Sequence, residues 1–332
     1  MNNRTFKIPK IERYHLPENY PTEAAMKSWG HNKYSYLPDI WEMEYCSYRL
    51  LGRMTEQQLL ARYHGIVRNM PSYTAPERDI VPIISYQSSW YWYRKEHLTR
   101  LEFALRGFSQ PELQNIVPLD QNSEVVPNGT TVLYRYGKRE YMQQMVEEGR
   151  IRFSPAEAYE GDDNNDARRD DERRKHSFTP GEYLTITSED GRPIPILCDM
   201  QRTVTGAEYS LVCFSSVWDE RLFDEFKADT CVIIHAPEEF LKRIGDAGMS
   251  VYPGWYYHHN PVQYFDPYEQ RKNEYFDASM SKDFSYAYQN EYRTLWSRLH
   301  AGPVDGYQFV DIGPAHDIMR MYDRDKQPIL IS

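Results

Sequence analysis

From Gly129 onward the chain reads as strand, helix, strand, and then as a run of short strands with few helices between them. That order constrains the fold more than any other feature, because a doubly wound parallel sheet needs a helix after nearly every strand. Residues 131–137 follow the loop Pro127-Asn128-Gly129 and are rich in strand-forming side chains. Residues 140–148 read as a helix ended by Gly149, and Ile151-Arg152-Phe153-Ser154 as the next strand. Later strands are expected at 209–216, 230–235, 251–252, 291–296 and 307–312, with a hairpin at 183–187 and 193–197 around Asp190-Gly191. Residues 237–244 form a helix that opens on Pro237. The class implied is α+β.

The chain before Gly129 has a different texture. Residues 1–40 are rich in Pro, Tyr and Asn without a clear period, and read as an extended arm. Two helices are expected at 41–51 and 55–67. The second opens on a capping box, Thr55 with Gln58, and Met54 and Leu59 are spaced as a hydrophobic staple. Residues 71–82 read as a loop. Beyond it, Trp90-Tyr91-Trp92-Tyr93 precedes Arg94 and Lys95, and Leu98, Leu101, Phe103 and Leu105 share one helical face that Gly107 ends. The aromatic run reads first as core, while the basic pair behind it keeps a base-stacking platform in play. The expected division is a mainly helical N-terminal region, 1–128, and a strand-rich region, 129–332.

A chain of 332 residues with 40% hydrophobic content, 28 Tyr, 13 Phe and 7 Trp can bury a sizeable core. No apolar run approaches the roughly 20 residues of a membrane helix, and the first ten residues contain no signal-like apolar stretch. Cys46, Cys198, Cys213 and Cys231 form no close pair, which suits a reducing cytoplasm. The net charge of −10 is uneven. Residues 1–130 hold 15 Lys and Arg against 14 Asp and Glu, leaving 24 against 35 in the remainder. A nucleic-acid partner would therefore need a local basic patch. The mixed-charge tract 160–175 reads as a solvated face, Lys282 as solvent-exposed, and His258-His259 as surface residues outside any metal site.

Three motifs in order carry the chemistry. Arg135 lies on the first strand, Ser215 and Ser216 end a later strand, and Gln289-Asn290-Glu291 stands at the start of another. In an extended chain, residues i and i+2 share a face, so Gln289 and Glu291 are expected side by side over one cleft. The order Arg135, Ser215, Gln289-x-Glu291 resembles the R-S-E signature of the ADP-ribosyltransferase superfamily. Residues 134–154 look like the opening of the DarT-like bacterial toxins within it, and the resemblance covers roughly 130–315.

That resemblance implies a split β-sheet core and NAD as substrate, with no metal. It makes Glu291 the catalytic carboxylate, Gln289 the residue that positions the acceptor, and Arg135 the fork for the diphosphate. Ser215 would support the glutamate or the ribose. Tyr136, Ser154 and Tyr159 would complete the cofactor cleft, the two tyrosines as candidates to stack nicotinamide. The implied role is a toxin or phage-defence effector that modifies nucleic acid, RNA before DNA, under the control of an antitoxin. Transfer to a protein, simple NAD hydrolysis, and a non-enzymatic interaction module with a degenerate cleft are the competing readings.

Overall fold

A computed structural model describes residues 8–14, 38–74, 87–119, 126, 131–159, 173–181, 184–196, 198–269, 277–298 and 306–330. The expected loop 75–82 and most of the charged tract 160–175 lie outside these residues. Among the described residues three helices come first: α1 (Pro38–Tyr48), α2 (Glu56–Tyr73) and α3 (Ser89–Leu105). The capping box forms as expected. Thr55 Oγ1 accepts from the Gln58 amide, and Gln58 Oε1 accepts from the Thr55 amide. The expected loop at Pro71 does not begin there, because α2 runs through Pro71 to Tyr73. Ile66, Met70 and Tyr73 are fully buried on one face, and that burial outweighs the hydrogen bond a mid-helix proline forfeits.

Helix α3 is buried on almost every side, not on one face alone. Most of its buried charged residues are tolerated because they find partners far away in the chain, while Glu96 faces Arg100 one turn along at 3.7 Å. Tyr45 and Arg49 both donate to Glu102, and Glu42 meets His97. Asp266 accepts from Lys95 and, through both oxygens, from Arg62. The run Trp90–Tyr93 is core: Trp92 stacks on Tyr73, and Lys95 is held inside by Asp266 and Glu269. That segment cannot serve as a nucleic-acid platform.

Next come β1 (Leu133–Gly137), α4 (Arg139–Glu147), β2 (Arg150–Pro155) and β3 (Arg174–Thr179). The hairpin β4 (Ile186–Thr187) and β5 (Pro193–Ile194) leads to β6 (Met200–Thr205), which pairs back on β3. After them come β7 (Tyr209–Ser215), α5 (Arg221–Glu225), β8 (Thr230–Ile234), α6 (Pro237–Val251), β9 (Tyr256–Pro261) and β10 (Gln263–Phe265). The chain continues through β11 (Ser281–Asp283), a 3₁₀ turn at Phe284–Gln289, and β12 (Glu291–Ser297). Strands β13 (Gln308–Asp311), β14 (Met319–Tyr322) and β15 (Pro328–Ile329) complete the order. Helices and strands are mixed without βαβ alternation, so the class is α+β.

Residues 251–252 were expected to be a strand, but they end a longer α6. Gly245 and Gly248 are weak helix formers, yet inside this helix they allow a close approach. A Cβ on Gly248 would stand 2.2 Å from Trp296 Cζ2, so the helix can lie against β12 only without one.

Strand β7 organises the large sheet. Along one edge it pairs with β12 throughout, from Glu291↔Ser215 to Ser297↔Tyr209, and β12 carries β9 beyond it. Its other edge divides. Strand β2 pairs at Leu211 and Ser210, whereas β1 touches only at Ser215 before diverging toward β8 and β14. The sheet is therefore split beside the middle of β7. One apolar cluster, built from Phe153, Phe214, Phe240, Ile244 and Trp296 among others, fills the side under α6. Another joins Trp41, Ile66, Tyr73 and Trp92 to Val262, Tyr264, Phe284 and Ala287, so a single core crosses residue 128.

Helix α2 also grips the 3₁₀ turn through polar groups. Asn69 Nδ2 donates to the Gly65 and Ser285 carbonyls, and its Oδ1 accepts from the Tyr288 amide. Asn69→Ala would remove the partner of the Ser285 carbonyl and the Tyr288 amide, and is expected to lower stability by about 2–3 kcal/mol in denaturant unfolding. A loss under about 0.5 kcal/mol would show that the turn does not depend on α2.

Candidate active site

The split beside β7 opens a cleft lined from β1, β2, β7, β11 and the Gln289–Glu291 segment. Glu291 lies in its floor, 5% exposed. Strand β12 begins at Glu291, so Gln289 is not on that strand. It closes the 3₁₀ turn, and Asn290 between them takes a left-handed conformation with φ 43°. The i, i+2 rule for strands does not apply across such a bend. The two side chains still meet, through a third: Lys282 Nζ donates to Gln289 Oε1 and to Glu291 Oε2, 2.9 Å each.

Lys282 is therefore buried, not solvent-exposed as its position in the sequence suggested. Strand β11 places it there, paired in parallel with β10. Glu291 Oε1 accepts from Arg293 Nε at 2.6 Å, and Arg293 is anchored by donating to the Ser279 carbonyl. Burial opposes ionisation of Glu291, but Arg293 and Lys282 outweigh it and hold the carboxyl well below the ordinary range. Tyr264 supports the backbone, its hydroxyl accepting from the Glu291 amide at 2.8 Å.

The serine pair secures the turn from the other side. Ser215 Oγ donates to the Gln289 carbonyl at 2.8 Å, and the amide and hydroxyl of Ser216 both donate to the Asn290 carbonyl. Ser215 thus supports the backbone of the motif. Across the split, an Arg135 guanidinium nitrogen donates to the Cys213 carbonyl on β7, and Arg135 also lines the cleft.

Ser154 and Tyr159 line the cleft from β2 and the turn after it. Tyr136 lines it as well, but its ring packs against Phe223 and Trp218. Its hydroxyl donates to the Val217 carbonyl and accepts from the Asp219 amide. Such a ring cannot turn to stack a ligand, which leaves Tyr159 as the stacking candidate. His258 and His259 lie on β9, and His259 meets the Tyr292 hydroxyl. Among the described residues no cluster could hold a metal ion, and no helix is long and apolar enough to cross a membrane.

Sequence reasoning missed Lys282, Arg293, Tyr264 and Arg152. Arg293 had a signal, because it stands two residues from Glu291 on the same strand face. The charged groups lining the cleft are Arg135, Arg152, Lys282 and Glu291, with Arg293 behind the carboxylate. In a chain of net charge −10, this cleft is electropositive and suits an anionic ligand. No protein-family model, curated protein or solved structure matches the chain.

A carboxyl whose folded value is depressed stabilises the fold above its unfolded value, about 4.3 for Glu, and that contribution fades as pH falls toward the folded value. Glu291→Gln is accordingly expected to be the less stable protein at neutral pH but to lose less stability below about pH 4.3, so that the two curves converge. Asp266, also depressed because Arg62 and Lys95 outweigh its burial, adds the same slope to both proteins. Urea midpoints at stepped pH would show this; parallel curves would contradict the ion pairing of Glu291.

Proposed function

We propose that the protein is an NAD-dependent ADP-ribosyltransferase, and that its split sheet is an ADP-ribosyltransferase-like core. One observation carries the reading. Arg135, Ser215 and Glu291, far apart in sequence, fall on three neighbouring strands, with Tyr134, Ser215 and Glu291 in register at the mouth of the split. Charge supports it too, because an electropositive cleft with one carboxylate in its floor suits a diphosphate tethered to a ribose.

In this reading Arg135 and Arg152 meet the diphosphate, and Tyr159 stacks the nicotinamide. Glu291 faces the ribose hydroxyls and stabilises the positive charge that develops at C1′ as nicotinamide leaves with the bonding electron pair. Arg293 holds that carboxylate ionised and fixed in direction, so little reorganisation is needed during reaction. The acceptor adds to C1′ and sheds a proton to solvent. Gln289, held by Lys282 and by donating to the Tyr288 hydroxyl, borders the place where the acceptor enters.

Nucleic acid is the acceptor we favour, on the rim of the cleft and not at Trp90–Tyr93. Arg152 lies over Tyr307 at 4.7 Å and Arg150 over Phe309 at 4.4 Å, on the outward face of the β2–β13 pair. Tyr307 is 54% and Phe309 40% exposed, and Lys138 shares the adjoining groove with Arg135, Arg150 and Arg152. Asp311, opposite Arg150 in the strand register, Glu148, and Asp229, 3.7 Å from Lys138, are opposing charges nearby. Alternating cations and open rings suit a single strand. A toxin or defence role with an antitoxin rests on the sequence resemblance alone.

Two outcomes test this. Glu291→Gln, near-isosteric and expected to stay folded by circular dichroism, should lower NAD cleavage at least ~100-fold, the scale of one deleted electrostatic stabiliser. Wild-type turnover in that variant would remove Glu291 from the chemistry. Phe309→Ala should weaken binding of a mixed-sequence single-stranded RNA about tenfold, the effect of one lost stacking platform. Unchanged binding in a fluorescence-anisotropy titration would move the acceptor elsewhere.

A further inference from the structure

Lys282 lies outside every motif that pointed to the site, yet it is the side chain through which Gln289 and Glu291 meet. The backbone does not align them, because a 3₁₀ turn and a left-handed Asn290 separate their directions. Glu291 keeps a second hold without Lys282, since Arg293 takes its other oxygen and is itself anchored by the Ser279 carbonyl. Lys282 donates to the Gln289 carbonyl oxygen, and the Gln289 amide nitrogen donates to the Tyr288 hydroxyl. The lysine is placed independently of both. Strand β11 pairs it with Tyr264, and its ammonium lies 4.8 Å from the Tyr286 ring centre.

We propose that Lys282 is a positioning residue that sets the spacing between Gln289, which positions the acceptor, and the carboxylate Glu291, and so determines how much of the cleaved NAD is transferred instead of hydrolysed. The proposal rests on the transferase reading. Cleavage uses Glu291, which Arg293 still orients; transfer also needs Gln289 at the correct distance. Removing the bridge therefore affects transfer more than cleavage. A residue that mattered only for folding would lower both together.

The test compares wild type, Lys282→Met and Lys282→Arg. Free ADP-ribose measures hydrolysis, and label from NAD retained on a mixed-sequence single-stranded RNA measures transfer. In Lys282→Met the ratio of transfer to hydrolysis should fall about tenfold, the effect of losing one charged hydrogen bond. Lys282→Arg, which can still donate to both groups, should recover most of the ratio. An unchanged ratio, or equal loss of both activities, overturns the proposal.

A stability cycle of Lys282→Met, Gln289→Ala and the double variant gives a reading that needs no activity. A bridge predicts that the double variant loses less than the sum of the single losses, and additive losses overturn it. If wild type leaves NAD intact, the transferase reading falls. If it cleaves NAD without labelling RNA, the RNA acceptor falls. The cycle then decides the bridge in either case.

Discussion

A carboxylate buried between two cations governs the arrangement of this protein's cleft. Glu291, Arg293 and Lys282 come from two strands separated by a 3₁₀ turn, and all three are almost fully enclosed. Burying charge is costly unless each charge is paired and hydrogen-bonded. The pairing therefore dictates where β11, the turn and β12 lie relative to one another. Removing Glu291 would leave two cations uncompensated inside the protein, whereas removing either cation leaves the carboxylate its other partner. The same constraint recurs at Asp266, where Arg62 and Lys95 bring α2 and α3 onto the segment after β10.

Around that cluster, the split of the sheet creates the space. Strand β7 gives one full edge to β12 and divides the other between β1 and β2, so among the described residues no strand pairs with its middle on that side. Arg135 supplies one donor there through the Cys213 carbonyl. The arginine thus joins the architecture to the candidate chemistry. Helix α2 completes the frame from the N-terminal region, because Asn69 and Tyr73 hold the turn that ends in Gln289 and Asn290.

Much of this was legible in the sequence where signals are local. The capping box at Thr55, the glycine ends at Gly107 and Gly149, and the Asp190-Gly191 hairpin follow from short-range chemistry, and all are present. The strands that bear Arg135, Ser215 and Glu291 were legible because β-branched and aromatic runs mark them. Distant partners defeated the reading elsewhere. Nothing near Lys282 reveals that a carboxylate nine residues on will bury it. Nothing near Lys95 points to Asp266. The length of α6 was hidden because Gly245 and Gly248, weak helix formers, are packing sites against Tyr257 and Trp296. Gln289 was placed beside Glu291 for the wrong reason: a shared lysine, not a shared strand, brings them together.

The central claim is that this cleft breaks the bond between nicotinamide and ribose. Proton NMR of NAD incubated with the purified wild-type protein tests it most directly, because free nicotinamide has its own aromatic signals. The account predicts that these signals grow in proportion to protein concentration as those of NAD decline. NAD that stays intact, and shows no line broadening or saturation transfer from the protein, would contradict both cleavage and binding and leave the cleft to another ligand.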